Sequence, residues 1–558
     1  MPVVAFRISR LDELTGEAAK PLELTEILAR LKCEVEEVDP RADRLVVEVT
    51  SDRPDLLAPE GLARALKGVA GAERGLPKLR VAGSGFSLRS EAPSSRPYIA
   101  VGILEGYELD EGKLVELIQF QEKLHATVGR GRRKVAIGLH ALEKLPRGEV
   151  LYAEVDIREV EMTPLGSSER LKIEEVLRST EQGAKYGTIS LRSGRYHPAI
   201  LVDGEVISLP PVINSELTRL EPGSKGLFVD VTGTSWRAVS KTLDLLLSVL
   251  SEERGTRIGL VEVKTGSPAP RLPELSRGTM KVESSYVSRK LGLRLEAPKI
   301  AELLEVMRWG AEARGDEVIA IYPEHRIDIL HPVDLVEDVA IAYGYDELPA
   351  EPPRARAKPR RLKSLELSRR LSLLAVGLGF LELRTFVLVP SRLSKLSLSL
   401  IRGAANILEL VNPVVEDMDS VRPSIIPSLL LSLRENQRNP LPLKLFEVGD
   451  VAYVAEDGAV EIDRSLGLAV MDHSVSFEDA QGPLFSILRG LGLEPSTKRR
   501  SGGGLLTEGR AADVFVRGEL VGAVGEVDPG LLTELDIKYP AAIAEVRLGA
   551  IERLLGLK

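Results

Sequence analysis

Four carboxylates fall within eleven residues near the middle of the chain: Asp328, Asp334, Glu337 and Asp338. The last three have the i, i+3, i+4 spacing that places side chains on one face at a helix start, and Asp328 precedes them on a predicted strand. Carboxylate oxygens bind hard divalent cations, so this acidic block predicts a metal site. A second interpretation stays open, because Asp334 and Glu337 have capping-box spacing and acids are favoured near a helix N-terminus.

A second group of polar residues lies at the ends of two predicted strands. Ser208 is followed by two prolines and then by Asn214 and Ser215, while Asp230 and Thr232 lie in the segment Phe-Val-Asp-Val-Thr. Asp230 and Thr232 are two residues apart, so on a strand they face the same side. These groups predict a cleft with hydrogen-bonding side chains and one carboxylate. The alternative is turn capping by Asn, Ser and Thr.

Several common catalytic classes have no motif in this sequence. The patterns Gly-x-x-x-x-Gly-Lys-Ser/Thr, His-Glu-x-x-His and Gly-x-Ser-x-Gly are all missing. The six histidines are scattered, and the single cysteine, Cys33, excludes an intrachain disulfide framework. Nucleotide hydrolases, zinc proteases and serine hydrolases are therefore not supported.

The elements that must position the polar groups follow from hydrophobic periodicity. Strands are predicted at 45–49, 98–104, 135–138, 187–191, 199–202 and 226–231, and long helices at 236–250 and 364–378. Residues 275–350 give strand, helix, helix and strand, a pattern typical of a winged-helix-like unit. The mixture predicts a multidomain α+β and α/β protein.

Charge and hydropathy limit the possible partners. The net charge of −9 argues against a protein that coats nucleic acid nonspecifically, and basic runs occur only locally, at 130–134, 354–363 and 498–500. No apolar run approaches the roughly eighteen residues of a membrane span, and the N-terminus lacks a signal-peptide pattern. We therefore expect a cytoplasmic protein without a membrane partner that touches RNA over a limited footprint.

Four motifs occur in a characteristic order along the chain. They are Asp-Arg-Pro-Asp-Leu-Leu at 52–57, the two pocket segments at 208–215 and 228–234, the acidic block continuing into Tyr-Gly-Tyr-Asp at 326–349, and Arg-Pro-Ser-Ile-Ile-Pro within 412–430. Together they resemble the phenylalanyl-tRNA synthetase beta subunits of the archaeal and eukaryotic type. The resemblance covers essentially the whole chain.

The resemblance implies an editing domain that hydrolyses tyrosine mistakenly attached to tRNA(Phe). In this chain the resemblance implies the pocket residues Leu201, Ser208, Asp230 and Thr232. Asp230 would accept a hydrogen bond from the tyrosine hydroxyl or position a water molecule. Segments 124–125, 129–130 and 137–140 also match that domain and are expected to help place the tRNA end. The family's magnesium assignment falls on the acidic block, at Asp328, Asp334, Glu337 and Asp338.

The last 200 residues resemble a class II synthetase core that is catalytically silent. A working site needs an Arg beside the strand acid to clamp the ATP phosphates, and a late Gly-x-Gly-x-x-Arg strand. Here Phe446 precedes Glu447, and the late motif is missing. The resemblance therefore implies that ATP is a substrate at a partner alpha subunit. Two alpha and two beta chains would then join Phe to tRNA(Phe).

These inferences predict four domains. They are an N-terminal α/β domain at 1–85, a tRNA-editing domain at 95–262, a small winged-helix-like domain with the magnesium motif at 272–350, and a noncatalytic antiparallel-sheet domain at 355–558. Two other functions stay open. A free-standing hydrolase of mischarged tRNA would not need the last domain, and a nucleic-acid-binding scaffold built on the small domain is disfavoured by the low charge.

Overall fold

The computed structural model describes residues 2–16, 21–264, 270–352, 359–501 and 503–557, with the backbone alone at 21–23. The predicted boundary at 355 and part of the basic run from 354 to 363 lie outside these residues. The chain divides into two compact units, Met1–Glu351 and Pro352–Lys558. The finer division into four domains stays a prediction.

The first unit begins with a three-stranded antiparallel sheet in the order Val3–Phe6, Arg44–Val49, Cys33–Asp39. Helices in this region are Ile8–Thr15, Pro21–Arg30 and Pro59–Val69. The Asp-Arg-Pro-Asp motif leads into a short 3₁₀ helix, where the buried Arg53 guanidinium donates to the Asp55 carboxylate at 2.8 Å. A rigid turn between strand and helix follows from this ion pair.

A ten-stranded sheet forms the largest part of the first unit. Its order is Ile213–Asn214, Glu205–Leu209, Tyr196–Val202, Glu149–Asp156, Val81–Ser90, Arg257–Val263, Tyr98–Glu105, Gly226–Gly233 and Val135–Ala141, with Arg271–Leu272 paired to Arg257–Val263. Val81–Ser90 is parallel to both of its neighbours, and the other pairs are antiparallel. The helices are Glu111–Ala126, Ile173–Ser179, Glu181–Tyr186 and Trp236–Leu250, and a two-stranded ribbon joins Glu161–Met162 to Leu171–Lys172.

One predicted strand of this region is wrong. Residues 187–191 form a turn after the helix Glu181–Tyr186. The amide of Gly187 donates to the Gly183 carbonyl at 2.8 Å, and the amide of Ile189 donates to the Tyr186 carbonyl at 3.0 Å. The apolar residues of this segment therefore follow a helix end, and their backbone groups have no strand partner.

A third sheet completes the first unit, in the antiparallel order Gly278–Glu283, Glu317–Tyr322, Gly310–Arg314. Three helices, Ser284–Leu291, Ala297–Val306 and Pro332–Tyr343, belong to the same region. The observed order is therefore strand, helix, helix, strand, strand and helix. The last of these helices carries the acidic block.

The second unit is built on an eight-stranded sheet. Its order is Leu381–Glu382, Leu443–Ala455, Val460–Met471, Ala541–Arg547, Glu519–Val527, Leu506–Val516 and Pro495–Arg499, with Ala404–Asn406 paired to Leu443–Ala455. Every pair is antiparallel except the short edge strand Leu381–Glu382. A small sheet joins Leu388–Val389, Ser420–Val421 and Leu408–Glu409, and the helices are Lys363–Gly377, Ser391–Ser397, Ile426–Asn436, Phe477–Gly490, Pro529–Glu534 and Leu548–Leu554.

Each unit has its own hydrophobic core. One continuous cluster runs through the first unit, with a smaller satellite cluster around Ile173 and Met162. In the second unit, two clusters contain alternating residues of the same strand, such as Phe446 in one and Leu445 in the other. This alternation is expected of a sheet buried on both faces. Among the described helices, none has the length and apolar character needed to cross a bilayer.

Candidate functional site

A cavity of about 600 Å³ is lined by strands from both edges of the ten-stranded sheet. The strand Val135–Ala141, the hairpin region around Ser208 and the helix Glu111–Ala126 supply much of its wall. Its lining combines apolar side chains with a few polar ones, including Gln121, Glu122, Arg132, Ser208, Asn214, Ser215 and Asp230. This composition is typical of a small-molecule site, in which polar groups set orientation and specificity.

Asp230 is the carboxylate of the predicted pocket that reaches this cavity. Its Oδ2 lies 2.9 Å from Nε2 of His140, and both side chains are almost fully buried, at 1% and 0% exposure. Nδ1 of His140 lies 2.7 Å from the hydroxyl of Thr218. An imidazole that donates its Nε2–H to the carboxylate leaves Nδ1 to accept from Thr218. The histidine thus holds one oxygen of the carboxylate.

Gly138 makes room for this contact. The register pairs Asp230 with Gly138, so the two residues are directly opposite on neighbouring strands. A Cβ at position 138 would lie 1.9 Å from Oδ2 of Asp230, so any other residue there would force this carboxylate to move. Gly138 therefore leaves space for the Asp230 carboxylate, and His140, two residues later, binds that carboxylate.

Ser208 and Asn214 also line the cavity. The hydroxyl of Ser208 donates to the side-chain carbonyl of Asn214 at 3.0 Å, and the amide of Asn214 donates to the Leu139 carbonyl at 3.1 Å. Ser215 also lines the cavity while its hydroxyl accepts from the Leu217 amide at 3.3 Å. Ser208, Asn214 and Ser215 thus line a cavity, and Ser215 also caps a turn as the alternative interpretation expected.

A charged group at the mouth of the cavity was not among the predicted residues. Glu122 accepts from Nη2 of Arg132 at 2.7 Å and contacts Nδ1 of His125 at 3.0 Å. The His125 contact, together with Arg132, lowers the pKa of Glu122 to about 2. Nε2 of His125 accepts from the Ile137 amide at 2.8 Å, so Nδ1 carries the proton. Only the run of basic residues at 130–134 signals Arg132 in the sequence.

Thr232 and Leu201 do not line the cavity. The Thr232 hydroxyl accepts from Nε of Arg96 at 2.9 Å, and a second nitrogen of Arg96 donates to the Thr232 carbonyl at 2.8 Å. Leu201 is half-buried and packs against the satellite cluster. The structure therefore brings Ser208 and Asp230 together at the cavity wall, and the pocket roles of the other two stay predictions.

Arg96 was not found from the sequence, and it ties Thr232 to the cavity. The guanidinium is fully buried and also donates to the backbone carbonyl of Arg132 at 3.2 Å. Burial lowers its pKa to about 10. Arg96 thus connects Thr232 to the backbone of Arg132, and the side chain of Arg132 lines the cavity. A residue preceding a proline in a loop gives no sequence signal for such a role.

A buried histidine beside this region makes stability depend on pH. Nδ1 of His197 donates to the Pro198 carbonyl at 2.9 Å, while Nε2 has no hydrogen-bond partner among the described residues. Burial lowers the pKa of His197 to about 4. In the unfolded chain His197 is protonated near pH 6.5, whereas in the folded chain it is protonated only near pH 4. The free energy of unfolding is therefore highest above pH 6.5 and decreases as the pH falls from 6.5 to 4.

We expect this loss to reach up to about 3 kcal/mol. The measurement is urea unfolding at pH 7 and pH 4.5, followed by the fluorescence of Trp236 and Trp309, which both lie in the first unit. A His197→Gln variant, which cannot titrate, should lose less stability on acidification. Equal losses in the two proteins would exclude His197 as the cause.

The acidic block has a different geometry from the predicted cluster. Oδ2 of Asp334 accepts from the amides of Leu330 and His331, each at 2.7 Å, and the helix starts at Pro332. A capping box is therefore present, formed by His331 and Asp334 rather than by Asp334 and Glu337. Glu337 accepts instead from Nζ of Lys32 at 2.8 Å.

The other two carboxylates of the block bind a single guanidinium. Arg326 donates to Asp328 at 2.8 Å and to both oxygens of Asp338, and Trp309 Nε1 donates to Asp338 at 2.6 Å. The four carboxylates thus face different groups. Among the described residues, no set of three or more His, Cys, Asp or Glu lies close enough to hold a metal ion. This arrangement does not fit a four-carboxylate centre, and the magnesium assignment stays a prediction.

In the second unit, the strand acid Glu447 is already paired. Arg422 donates to one of its oxygens at 2.8 Å, and the Thr385 hydroxyl donates to the other at 2.6 Å. Glu545 accepts from the Ile425 amide at 2.9 Å and from the Ser424 hydroxyl. Burial raises the pKa of Glu545. Both oxygens of Glu447 thus already accept a hydrogen bond from the protein.

Two family models match the chain. The phenylalanyl tRNA synthetase beta chain CLM domain matches residues 348–548, and the tRNA synthetase B5 domain matches residues 280–345. A crystal structure of an N-terminal fragment of the phenylalanyl-tRNA synthetase beta subunit from Pyrococcus horikoshii is similar with a TM-score of 0.58 at 35% identity, covering 62% of this chain and 100% of the fragment. The fold and these matches define a subunit of an aminoacyl-tRNA synthetase.

Full-length relatives identify the subunit. The phenylalanine–tRNA ligase beta subunit of Aeropyrum pernix is 42% identical over 99% of both chains, and that of Sulfurisphaera tokodaii is 38% identical over 96% of both. The chain belongs to the family of phenylalanine–tRNA ligase beta subunits. The resemblance inferred from the four sequence motifs is confirmed.

Proposed function

We propose that this chain hydrolyses tyrosine from mischarged tRNA(Phe) in the cavity beside Asp230. The observation that carries the proposal is the carboxylate at the cavity wall, which His140 holds by one oxygen. The second oxygen is the acceptor that a phenol hydroxyl requires. Ser208 and Asn214, which line the same cavity, complete a polar lining for the aminoacyl group.

Selection for tyrosine follows from the energetics of a buried acceptor. An apolar pocket for phenylalanine rejects an added hydroxyl by only about 100-fold, so tyrosine enters the synthetic site as an error. A site built to bind a hydroxyl rejects the analogue that lacks it by about 10⁴ to 10⁵. Asp230 gives the cavity this second kind of specificity, and correctly charged Phe-tRNA is spared. Hydrolysis of Tyr-tRNA(Phe) by the assembled enzyme, with Phe-tRNA(Phe) for comparison, tests the proposal.

The tRNA end is proposed to enter past the cavity mouth. Arg132 lines the cavity there, and its guanidinium stacks over the Tyr186 ring at 4.4 Å. The segments 124–125, 129–130 and 137–140 flank Arg132 in the sequence. We propose that they help to position the end of the tRNA. Arg132 is also held by Glu122, which keeps the guanidinium in a fixed orientation.

Synthesis of Phe-tRNA is proposed to require an alpha subunit, with ATP and its Mg²⁺ at the alpha subunit's site. The second unit exposes many large apolar side chains, among them Leu381, Phe386, Val411, Val414 and Ile462 at 61 to 102%. Exposed apolar surface of this extent marks an interface with another protein. We propose the alpha subunit as its occupant, in an assembly of two alpha and two beta chains located in the cytoplasm. A Mg²⁺ ion on the acidic block is not needed for this proposal.

The partner requirement gives a direct prediction. The purified chain should form no detectable Phe-tRNA from ATP, phenylalanine and tRNA(Phe), because Glu447 is occupied by Arg422. Mixing with the alpha subunit should restore charging, measured by incorporation of labelled phenylalanine. A Phe386→Ser/Val411→Ser variant should assemble less well, whereas Leu217→Ser, an exposed apolar residue of the first unit, should assemble normally.

Charging by the chain alone would contradict the silent-core proposal. A chain that hydrolyses Tyr-tRNA but never pairs with the alpha subunit would favour the free-standing hydrolase instead. The matches of the second unit to a synthetase beta chain domain support the first proposal over that alternative.

A further inference from the structure

A second cleft, of about 930 Å³, lies in the first unit and shares no lining residue with the cavity beside Asp230. Its walls come from the segment 72–80, the segment 251–256 and the helix Ile8–Thr15. Eight basic and four acidic side chains line it. In a chain with a net charge of −9, such a local excess of positive charge is a marked electrostatic feature.

Two acidic side chains of the cleft, Glu73 and Glu252, are already compensated by ion pairs. Glu252 accepts from Nε of Arg64 at 2.9 Å and from Lys67, and Glu73 accepts from Lys67 at 3.0 Å and from Arg308 at 2.8 Å. These ion pairs hold Arg64, Lys67 and Arg308 in place beside the cleft. Nε of Arg308 is nevertheless buried with no hydrogen-bond partner among the described residues. One donor of a residue that lines the cleft is therefore unsatisfied within the described residues.

The rim carries the charge that is not compensated. Lys78, Arg80 and Arg254 are exposed, and within the described part of the chain no side-chain hydrogen bond or ion pair engages them. The two arginines present planar donor groups that match phosphate oxygens in a bidentate geometry. Three free cations around one open cleft favour an extended polyanion over a single small anion.

We propose that this cleft, named here the basic cleft, binds the phosphodiester backbone of the tRNA. The inference rests on the proposed function for the identity of the RNA. Guanidinium and ammonium groups bind phosphates without reading sequence, so the basic cleft contributes affinity and orientation rather than amino-acid selection. It thus provides a second anchor for the RNA, away from the cavity that takes the aminoacyl end.

The test removes the three rim cations together, as Lys78→Ala/Arg80→Ala/Arg254→Ala in the assembled alpha–beta enzyme. Binding of tRNA(Phe) is measured by fluorescence titration at several salt concentrations. We expect affinity at least about tenfold weaker and a slope of log K against log salt reduced by about two to three, because each lost phosphate contact removes nearly one unit. Phenylalanine-dependent pyrophosphate exchange without tRNA should be unchanged, which shows that the enzyme is folded.

A matched variant controls for the general loss of charge. Arg289→Ala/Lys290→Ala/Arg294→Ala also removes three exposed cations, outside the basic cleft. Unchanged tRNA affinity in the rim variant, or equal weakening in the two variants, overturns the proposal. Failure of the editing proposal gives a different result, since tRNA binding would then depend on the basic cleft while Tyr-tRNA was never hydrolysed.

Discussion

An Asp230→Asn substitution should slow hydrolysis of Tyr-tRNA(Phe) by about 100-fold and leave Phe charging unchanged. The two side chains have the same shape, so the cavity keeps its volume. The charge and the acceptor are what change. The expected result is an enzyme that charges normally and accumulates Tyr-tRNA(Phe).

The direction of this effect follows from the contact with His140. The imidazole donates to Oδ2 of Asp230 at 2.9 Å, and an asparagine can keep that bond only through its carbonyl oxygen. The asparagine NH₂ group then replaces the second carboxylate oxygen. The tyrosine hydroxyl then faces the NH₂ donor of asparagine in place of the carboxylate oxygen that accepted its hydrogen bond. The hydrogen bond that selects tyrosine is therefore weakened. The structure supporting the site stays in place.

The measurement is the rate of deacylation of preformed Tyr-tRNA(Phe) under single-turnover conditions, beside the rate of Phe charging. Asp203→Asn is the matched control, because the same change is then made at an exposed turn residue of the same sheet. Deacylation within threefold of the unsubstituted enzyme would remove Asp230 from the site. A parallel loss of charging would indicate damage to the fold instead.

An Arg326→Met substitution should destabilise the first unit by about 3–5 kcal/mol. Arg326 is 4% exposed and donates to both Asp328 and Asp338. Although burial opposes its charge, these carboxylates raise the pKa of Arg326. Methionine fills part of the volume but leaves the carboxylate of Asp338 buried with Trp309 Nε1 as its remaining donor.

Urea unfolding followed by tryptophan fluorescence measures this loss, because Trp309 contacts the affected pair. Arg314→Met is the control, since the exposed ion pair of Arg314 with Glu312 is worth less than about 1 kcal/mol. Adding Asp338→Asn to Arg326→Met should recover part of the stability by removing the buried charge. A loss below 1 kcal/mol for Arg326→Met would show that the two carboxylates find other partners.

The spacing of apolar residues predicts a helix or strand correctly where its apolar face packs against the rest of the protein. The helix Trp236–Leu250 begins and ends where the apolar spacing predicts, since its apolar face packs against the sheet. Segment 187–191 fails because its apolar residues follow a helix end and are wound into a turn. Short apolar runs of this kind do not distinguish a strand from a buried turn.

The site was predictable only in part. Ser208, Asn214 and Asp230 were found because their types and spacing on strands are informative. Thr232 shares the face of Asp230, yet Arg96, which is 136 positions away in sequence, binds its hydroxyl. In the acidic block, sequence spacing could not show that Arg326 and Lys32 bind three of the four carboxylates as ion-pair partners. Long-range pairing of charges is decided by the fold.

The ion pair between Arg422 and Glu447 also determines which substitutions the second unit tolerates. A single substitution that frees Glu447 leaves a buried carboxylate without its main partner, so stability falls before any new activity is gained. A variant that frees Glu447 without this loss therefore needs a second substitution that compensates for the missing partner. We therefore expect positions 422 and 447 to change together and not one at a time.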